Sequence, residues 1–293
     1  MLAWAGVAVA VASISVSAPV TSVTAAPALA LAFWRAALGA AAVGPWLLLR
    51  HPGELRRAGA RPRRQAVLAG VWLAVHFAAW LPSLKLTSVA ASTALVATTP
   101  VWTVLFGRLR GERVPPALTW GVGVALVGVL AITGVDVGRS WSAAAGDLLA
   151  LAGGVAGAGY VDVGERARAV LSPSGYSTVA YGTCAVLILP VALVAGVPLL
   201  GYGSHTWLQV AVVVVGAQLV GHSTLNAALP VLGATPLALA LLFEVPGAVL
   251  VSWAWYGVAP PVAVLPGTLL LLTGLVVVVR SGAVADVTLP APV

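Results

Sequence analysis

The sequence has 293 residues, of which 60% are hydrophobic and 8% are charged, with a mean hydropathy of +1.04. A soluble domain is about 45–50% apolar and about 25% charged, so this composition excludes a soluble protein and indicates a polytopic membrane protein. The net charge of +7 lies almost wholly on arginines between apolar runs. That placement is typical of membrane topology and not of a nucleic-acid-binding face.

Ten apolar runs are long enough to cross a hydrocarbon core of roughly 30 Å as helices. The first run has no preceding Lys or Arg, which favours a retained span over a cleaved signal peptide. The runs are long and unbroken, and several are rich in small residues, which favours packed helices over a β-barrel. We therefore expect an all-α membrane protein whose spans are residues 2–20, 28–49, 66–84, 88–107, 117–134, 146–163, 175–195, 206–226, 235–254 and 262–280.

Basic residues are distributed unevenly between the connections. If the N-terminus is cytoplasmic, twelve arginines face the cytoplasm, and only Lys85 and Arg139 face the outside. This bias predicts a multi-pass protein of the cell (inner) membrane with both termini in the cytoplasm. Residues 282–293 are expected to form a disordered cytoplasmic tail. The twelve arginines are Arg50, Arg56, Arg57, Arg61, Arg63, Arg64, Arg108, Arg110, Arg113, Arg166, Arg168 and Arg280.

Parts of the sequence repeat after a shift of 146 residues. Gly70 and His76 are matched by Gly216 and His222, since 76 + 146 = 222. Each half would hold five spans, and because five is odd, the second half would be inverted relative to the first. The pattern predicts two inverted five-helix repeats, residues 1–140 and 141–281, as in secondary transporters. The further matched pairs are Pro100 and Pro246, Gly111 and Gly257, Gly121 and Gly267, and Gly128 and Gly274.

Three stretches carry a family resemblance: LAFWRAALGA in the second run, LKLTSVAASTALVATTPVWTVLFG at residues 84–107, and GER at residues 111–113. With the five-plus-five arrangement, they resemble EamA-type transporters of the drug/metabolite transporter superfamily over nearly the whole chain. The resemblance implies a ten-helix inverted-repeat fold, a central cavity, and export of amino acids or other small metabolites. The chain departs from the family where Glu244 stands two residues before Pro246, instead of directly before it.

Aromatic and polar residues recur on one face of the third and eighth predicted spans. On each span three of them stand at positions i, i+4 and i+8, with His76 and His222 in the middle. Unpaired amides in hydrocarbon cost on the order of several kcal/mol, so both faces are expected to point to the protein interior. The alternative is that the histidines only bridge neighbouring helices by hydrogen bonds. The predicted substrate-binding residues are Trp72, His76, Trp80, Trp102, Tyr160, Gln218, His222 and Asn226.

Two charged residues are predicted to lie within spans. A charge at the bilayer centre costs about 2.5–3.5 kcal/mol. Glu244 is therefore expected to serve either proton coupling or a hydrogen bond between helices. Arg35 is a candidate partner for Glu244 or for a substrate carboxylate. Its alternative is a structural position at the outer interface, where arginine snorkels.

These features predict a secondary transporter, and more specifically an exporter of a small organic metabolite such as an amino acid. The sequence contains no GxxxxGK[ST], no HExxH and no clustered metal ligands. We therefore expect no enzymatic activity, cofactor or metal, and no nucleic-acid partner. The expected partners are a small-molecule substrate, membrane lipids and, where Glu244 couples transport, protons. The alternatives are an uptake transporter, a membrane-embedded enzyme acting on a lipid or isoprenoid, and a non-transporting receptor or scaffold.

Overall fold

A computed structural model describes residues 2–109, 111, 116–232 and 240–280. In this part of the chain every regular element is helical, which confirms the predicted all-α class. The predicted tail, residues 282–293, lies outside the described residues. The α-helices are α1 (Leu2–Ser15), α2 (Ser17–Val23), α3 (Ala28–Arg50), α4 (Glu54–Arg57), α5 (Ala60–Leu86), α6 (Val89–Val96), α7 (Thr99–Leu109), α8 (Pro116–Arg139), α9 (Trp141–Arg168), α10 (Pro173–Val194), α11 (Ser204–Val212), α12 (Ser223–Leu232), α13 (Glu244–Tyr256) and α14 (Leu265–Arg280), with a π-helix, π1 (Val213–His222), between α11 and α12, and a 3-10 helix at Val262–Val264.

Seven helical segments of the described chain are long and apolar enough to cross a membrane. They overlap the first four predicted runs and the sixth to eighth. The fifth and tenth runs contain shorter apolar helices, at Trp120–Ile132 and Val262–Val277. The ninth run, residues 235–254, lies partly outside the described residues, so the count of ten stays a prediction. The seven segments are Trp4–Val23, Ala28–Arg50, Ala60–Leu86, Val89–Leu109, Trp141–Arg168, Pro173–Val194 and Ser204–Ala228.

Two of the long helices begin at a serine cap. The Ser140 hydroxyl accepts a hydrogen bond from the backbone N–H of Ala143 at the start of α9. The Ser172 hydroxyl accepts one from the N–H of Gly175 at the start of α10, and Pro173 occupies the first helical position. Such caps satisfy backbone donors that the first helical turn leaves without a partner. The local sequence therefore fixes where both helices begin.

Two helices begin directly before a matched proline. A turn at residues 97–98 separates α6 from α7, and α7 begins one residue before Pro100. A turn at residues 242–243 precedes α13, which begins two residues before Pro246. Proline lacks a backbone N–H, so it fits the first turn of a helix without the loss of a hydrogen bond, whereas in the interior it costs one. The fourth predicted run is therefore two helices and not one.

The eighth predicted run also departs from a regular α-helix. Its middle is π1, a π-helix of ten residues between α11 and α12. A π-helix forms i→i+5 hydrogen bonds, and such segments are frequent at functional sites. The residue pattern predicted one continuous α-helix here, because hydrophobic periodicity alone does not separate the two windings.

Helices α8 and α14 approach closely at matched glycines. A Cβ placed on Gly128 would lie 2.7 Å from the carbonyl oxygen of Gly267. One placed on Gly274 would lie 2.6 Å from the carbonyl oxygen of Gly121. Since 121 + 146 = 267 and 128 + 146 = 274, each contact is the repeat counterpart of the other. Small residues at such crossings let the backbones of membrane helices approach closely.

Hydrogen bonds tie the connections together at both ends of α5. Near its start, the Glu54 carboxylate in α4 accepts hydrogen bonds from the backbone N–H and the hydroxyl of Ser172, between α9 and α10. At its end, the Lys85 ammonium donates to the carbonyl oxygens of Ser22 and Thr24 at the α2–α3 connection. Each tie joins two connections that the predicted topology places on the same side of the membrane.

Candidate functional site

A fully buried arginine lies where the two predicted halves meet. Arg35 in α3 is 0% exposed. Its Nε donates to Gln218 Oε1 of π1 at 2.6 Å, and its Nη1 donates to Ser17 Oγ of α2 at 3.2 Å. The guanidinium carbon lies 4.4 Å from the ring centroid of Phe77 in α5, a cation–π arrangement. The guanidinium is therefore enclosed by side chains of α2, α5 and π1.

The polar face of the eighth predicted span contacts helices of both predicted halves. Gln218 is 1% exposed and binds Arg35 of the first half. The Asn226 amide in α12 donates to the Tyr160 hydroxyl of α9 and the Ser177 hydroxyl of α10, each at 3.4 Å. The structure thus brings four sequence-predicted residues into one connected neighbourhood, although their role in binding substrate stays a prediction.

Three further predicted residues surround Arg35 at longer range. His76, His222 and Glu244 each interact electrostatically with Arg35. Each of the three keeps a partly exposed side chain. Among the residues it describes, the structure records no ion pair between Arg35 and Glu244. The predicted charge pair is therefore a longer-range interaction in this conformation.

The aromatic face of α5 packs against glycines of α9. His76 Nδ1 lies 2.8 Å from the carbonyl oxygen of Gly153, within hydrogen-bonding distance. A Cβ placed on Gly159 would lie 2.6 Å from the Trp72 ring, and Trp80 is only 3% exposed. The His76 contact is the kind of bond that the helix-bridging alternative expects. Because the His76 ring is partly exposed, its predicted place in a pocket remains a proposal.

Trp102 lies in α7, apart from the contacts that join the other candidates. Its indole N–H donates to the Thr98 hydroxyl at 2.9 Å, one turn earlier in the chain. A Cβ placed on Gly154 of α9 would lie 2.8 Å from that same hydroxyl oxygen. Trp102 is therefore fixed beside the contact between α7 and α9, and its role in substrate binding stays a prediction.

The sequence patterns do not single out three residues that the structure places at Arg35. Ser17 and Phe77 contact the guanidinium directly, yet each is an ordinary residue of a membrane span. Tyr181 of α10 is 0% exposed and interacts electrostatically with Arg35. The repeat could have revealed Tyr181, because 35 + 146 = 181. No spacing signal distinguishes the other two.

A cleft of about 520 Å³ opens at the end of the bundle where α5 ends. Its lining includes the hydroxyl-bearing residues Ser22 and Ser88 from the first predicted half and Ser252 from the second. Helix α13 forms one wall through Val249. Val249 stands five residues after Glu244, or about 7.5 Å along the helix axis at 1.5 Å per residue. None of the candidate site residues is among the described residues that line this cleft.

The fold and the site define a multi-pass, all-helical transmembrane protein with a polar centre enclosed by apolar helices. Residues 1–134 match the model of the EamA-like transporter family, which confirms the resemblance that the sequence motifs indicated. No curated protein matches the chain. The chain is also similar to a solved structure described as "Crystal structure of protein", with a TM-score of 0.63 and 22% sequence identity, covering 92% of this chain and 93% of that chain. At that identity the likeness concerns the fold alone.

Proposed function

We propose that the protein is a secondary transporter that exports a small organic metabolite, such as an amino acid, by alternating access. It has ten spans, and residues 1–140 and 141–281 form two inverted repeats around a central cavity. The observation that supports this proposal most strongly is the buried, charged hydrogen bond between Arg35 and Gln218, which joins the two halves. Charged groups inside a membrane protein commonly mark substrate or ion pathways.

The neighbours of each helix support the inverted repeat. Under the shift of 146 residues, α5 corresponds to the α11–π1–α12 segment, and α9 corresponds to α1. Helix α5 packs most extensively against α9, and α1 packs most extensively against π1. Helices α3 and α10 correspond to each other under the same shift, and we call such a pair mates. These mates pack together, as do the mates α8 and α14. A two-fold axis between the halves requires this pairing of neighbours.

The helix breaks before Pro100 and Pro246 also support the transporter proposal. Inverted-repeat transporters build their substrate and ion sites from discontinuous helices near the bilayer midplane. Here Glu244 is the first residue of α13, directly after one of the two breaks. A carboxylate is favoured at a helix N-terminus by the helix dipole. The dipole favours the ionised carboxylate, so the proposal of proton coupling at Glu244 rests on its position at a helix break and not on the dipole.

The positions of charged side chains support the proposed orientation in the cell (inner) membrane. Five arginines of α4 and of the first turns of α5 are exposed. They lie at the end of the bundle where Glu54 binds Ser172. The opposite end holds the cleft and Lys85. By the positive-inside rule the arginine-rich end and both termini are cytoplasmic, and the cleft opens to the outside. The five arginines are Arg56, Arg57, Arg61, Arg63 and Arg64.

Flux measurements in proteoliposomes test the proposal. The purified full chain is reconstituted without ATP, and exchange and net efflux of the labelled standard amino acids are compared with those of protein-free liposomes. We expect saturable flux of at least one solute. If net flux runs only from the side that corresponds to the outside of the cell to the side that corresponds to the cytoplasm, the protein is an uptake transporter and not an exporter. The absence of flux for the whole panel would contradict transport of this solute class.

Glu244→Gln tests whether protons drive transport. The amide keeps the shape of the side chain and removes its titration. If Glu244 couples transport, the variant loses flux driven by a pH gradient but keeps solute exchange, because exchange needs no net proton movement. Both are measured in the same proteoliposomes. Gradient-driven flux that survives in the variant excludes Glu244 as the coupling group.

A further inference from the structure

The Arg35 guanidinium is held on three sides and has one terminal nitrogen left over. Gln218 and Ser17 accept hydrogen bonds from Nε and Nη1, and Phe77 covers one face. The remaining nitrogen, Nη2, is buried and has no hydrogen-bond partner among the residues that the structure describes. A buried donor of a charged group is costly to leave without a partner. The surrounding residues therefore fix the guanidinium and leave Nη2 directed at a further acceptor.

The Tyr181 hydroxyl is a second buried polar group without a partner at the same place. It interacts electrostatically with Arg35 across the contact between α3 and α10. It lies close to Ser177, Gln218 and Ser223 but forms no hydrogen bond of standard geometry with the described residues. The Tyr181 ring also packs against Gly39, one turn after Arg35, where an added Cβ would lie 3.2 Å from the ring. Arg35 and Tyr181 thus provide two buried donors, from matched positions of the two halves, that have no partner among the described residues and interact electrostatically with each other.

Within the part of the chain that the structure describes, no carboxylate forms an ion pair with Arg35. Glu244 is the carboxylate that interacts electrostatically with Arg35, but the two form no ion pair in the described part of the chain. A guanidinium enclosed by apolar helices is strongly stabilised by an anion in contact with it. The acceptor that completes the site should therefore carry negative charge and at least two oxygens.

We infer that Arg35 Nη2 and the Tyr181 hydroxyl form a subsite for the carboxylate of the transported solute. One carboxylate oxygen accepts from the guanidinium and the other from the phenol, and both bonds are strengthened by charge. Gln218 and Ser17 act as positioning residues, since they orient Arg35. Because the subsite is built from both halves, a relative movement of the halves opens it to the solute. The inference rests on the proposed transport function and narrows its substrate class.

Paired probes that differ only in the carboxylate test the subsite. Each standard amino acid and its carboxamide are compared for thermal stabilisation of the detergent-purified full chain and for exchange in proteoliposomes. We expect the acids to bind at least roughly tenfold more tightly than their amides, because the amides lose the negative charge. The amide keeps the size and the apolar body of the solute, so the comparison isolates the charged group.

Tyr181→Phe gives the sharper test, with Thr178→Val as its matched control. Both side chains lie on α10, and both hydroxyls are buried without a partner among the described residues. The Tyr181 hydroxyl interacts with Arg35, whereas Thr178 lies near Gly44, more than two turns further along α3. We expect Tyr181→Phe to weaken binding of the acids by roughly tenfold, to leave binding of the amides unchanged, and to keep the melting temperature of the unliganded protein. The control should change neither class of probe.

The outcomes separate the subsite from the transport function. Exchange of amides at the rates of the acids would overturn the subsite and leave the transporter proposal in place. Equal weakening of acids and amides by Tyr181→Phe would also overturn it, because that result indicates a role in packing alone. If no probe stabilises the protein or crosses the bilayer, both the subsite and transport of this solute class are overturned.

Discussion

Two helix contacts that correspond in the repeat differ in which of the two helices carries the glycines. Where α5 meets α9, the glycines belong to α9, and the large side chains Trp72 and His76 belong to α5. Where the corresponding π1 meets α1, the glycine belongs to π1, and the large side chain belongs to α1. A Cβ on Gly221 would meet Ile14, for example. The two contacts share their place in the repeat but not the distribution of large and small residues.

This reversal determines which side chains remain for the polar centre. On α5 the aromatic face fills the space over the α9 glycines. On π1 and α12 the polar face does not enter the contact with α1. Instead Gln218 binds Arg35, and Asn226 reaches Tyr160. The first half therefore contributes the cation, and the second contributes most of the neutral polar groups. Sequence similarity between repeats does not imply equal roles at the site.

The largest effect is expected where the two halves are alike. Gly128→Ala and Gly274→Ala should each destabilise the protein by about 2–3 kcal/mol, because each methyl group meets backbone atoms of the facing helix. Unfolding by SDS titration in mixed micelles measures both variants. Gly123→Ala is the control on the same helix, since its methyl group meets nothing within 4 Å. Clearly unequal losses for the two variants would contradict the reciprocal contact.

A smaller effect should distinguish the two unlike contacts. Gly159→Ala should lower the free energy of unfolding by about 1–2 kcal/mol, because the methyl group meets the Trp72 ring. Gly216→Ala should change it by no more than about 0.5 kcal/mol, because the nearest atom, the Ser13 carbonyl oxygen, would lie 3.6 Å away. A double variant with Trp72→Leu should recover part of the Gly159→Ala loss. Equal losses for the two glycine variants would remove the proposed difference between the contacts.

The smallest stability changes should come from the two polar faces, and they should separate stability from transport. His76→Ala loses its contact with Gly153 and should destabilise the protein by about 0.6–1.7 kcal/mol. Asn226→Ala loses only bonds of 3.4 Å and should change stability less. Solute exchange per folded molecule should fall further in Asn226→Ala than in His76→Ala. The reverse order would assign the substrate contact to α5 instead of α12.

The sequence predicted the helical class and several of the details that position the site. Long apolar runs predicted helices because a membrane span must satisfy its backbone groups internally. The repeat matched Pro100 with Pro246, but the breaks that precede them in the structure were not predicted, since each run was predicted as one continuous span. The position of Gln218 beside Arg35 was not foreseen, because a π-helix turns residues to a different side than an α-helix with the same sequence would. Gly70 and Gly216 illustrate the result. They correspond in the repeat, but Gly70 lies against Ala180 of α10, and Gly216 lies nearest to α1.

Other features of the site depend on contacts between distant parts of the chain. Ser17 and Phe77 approach Arg35 only because α2, α3 and α5 pack together. Their residue types are common in membrane spans, so composition and periodicity give no reason to choose them. Arg35 itself was recognisable as a charge within a span. Its burial could be recognised only once its neighbours were known.

The reciprocal glycine contact between α8 and α14 has a mechanical consequence for the proposed cycle. In the proposed cycle, the inward-facing and outward-facing forms arise when the two halves exchange conformations. A contact between two corresponding helices has the same geometry before and after that exchange. The crossing at Gly128 and Gly274 would then keep one geometry throughout. The α5–α9 contact would adopt the geometry of the α1–π1 contact, and the α1–π1 contact would adopt that of α5–α9. The α3–α10 contact also joins corresponding helices and would be kept in the same way, so these two helix pairs would form the fixed part of the bundle while the other contacts change.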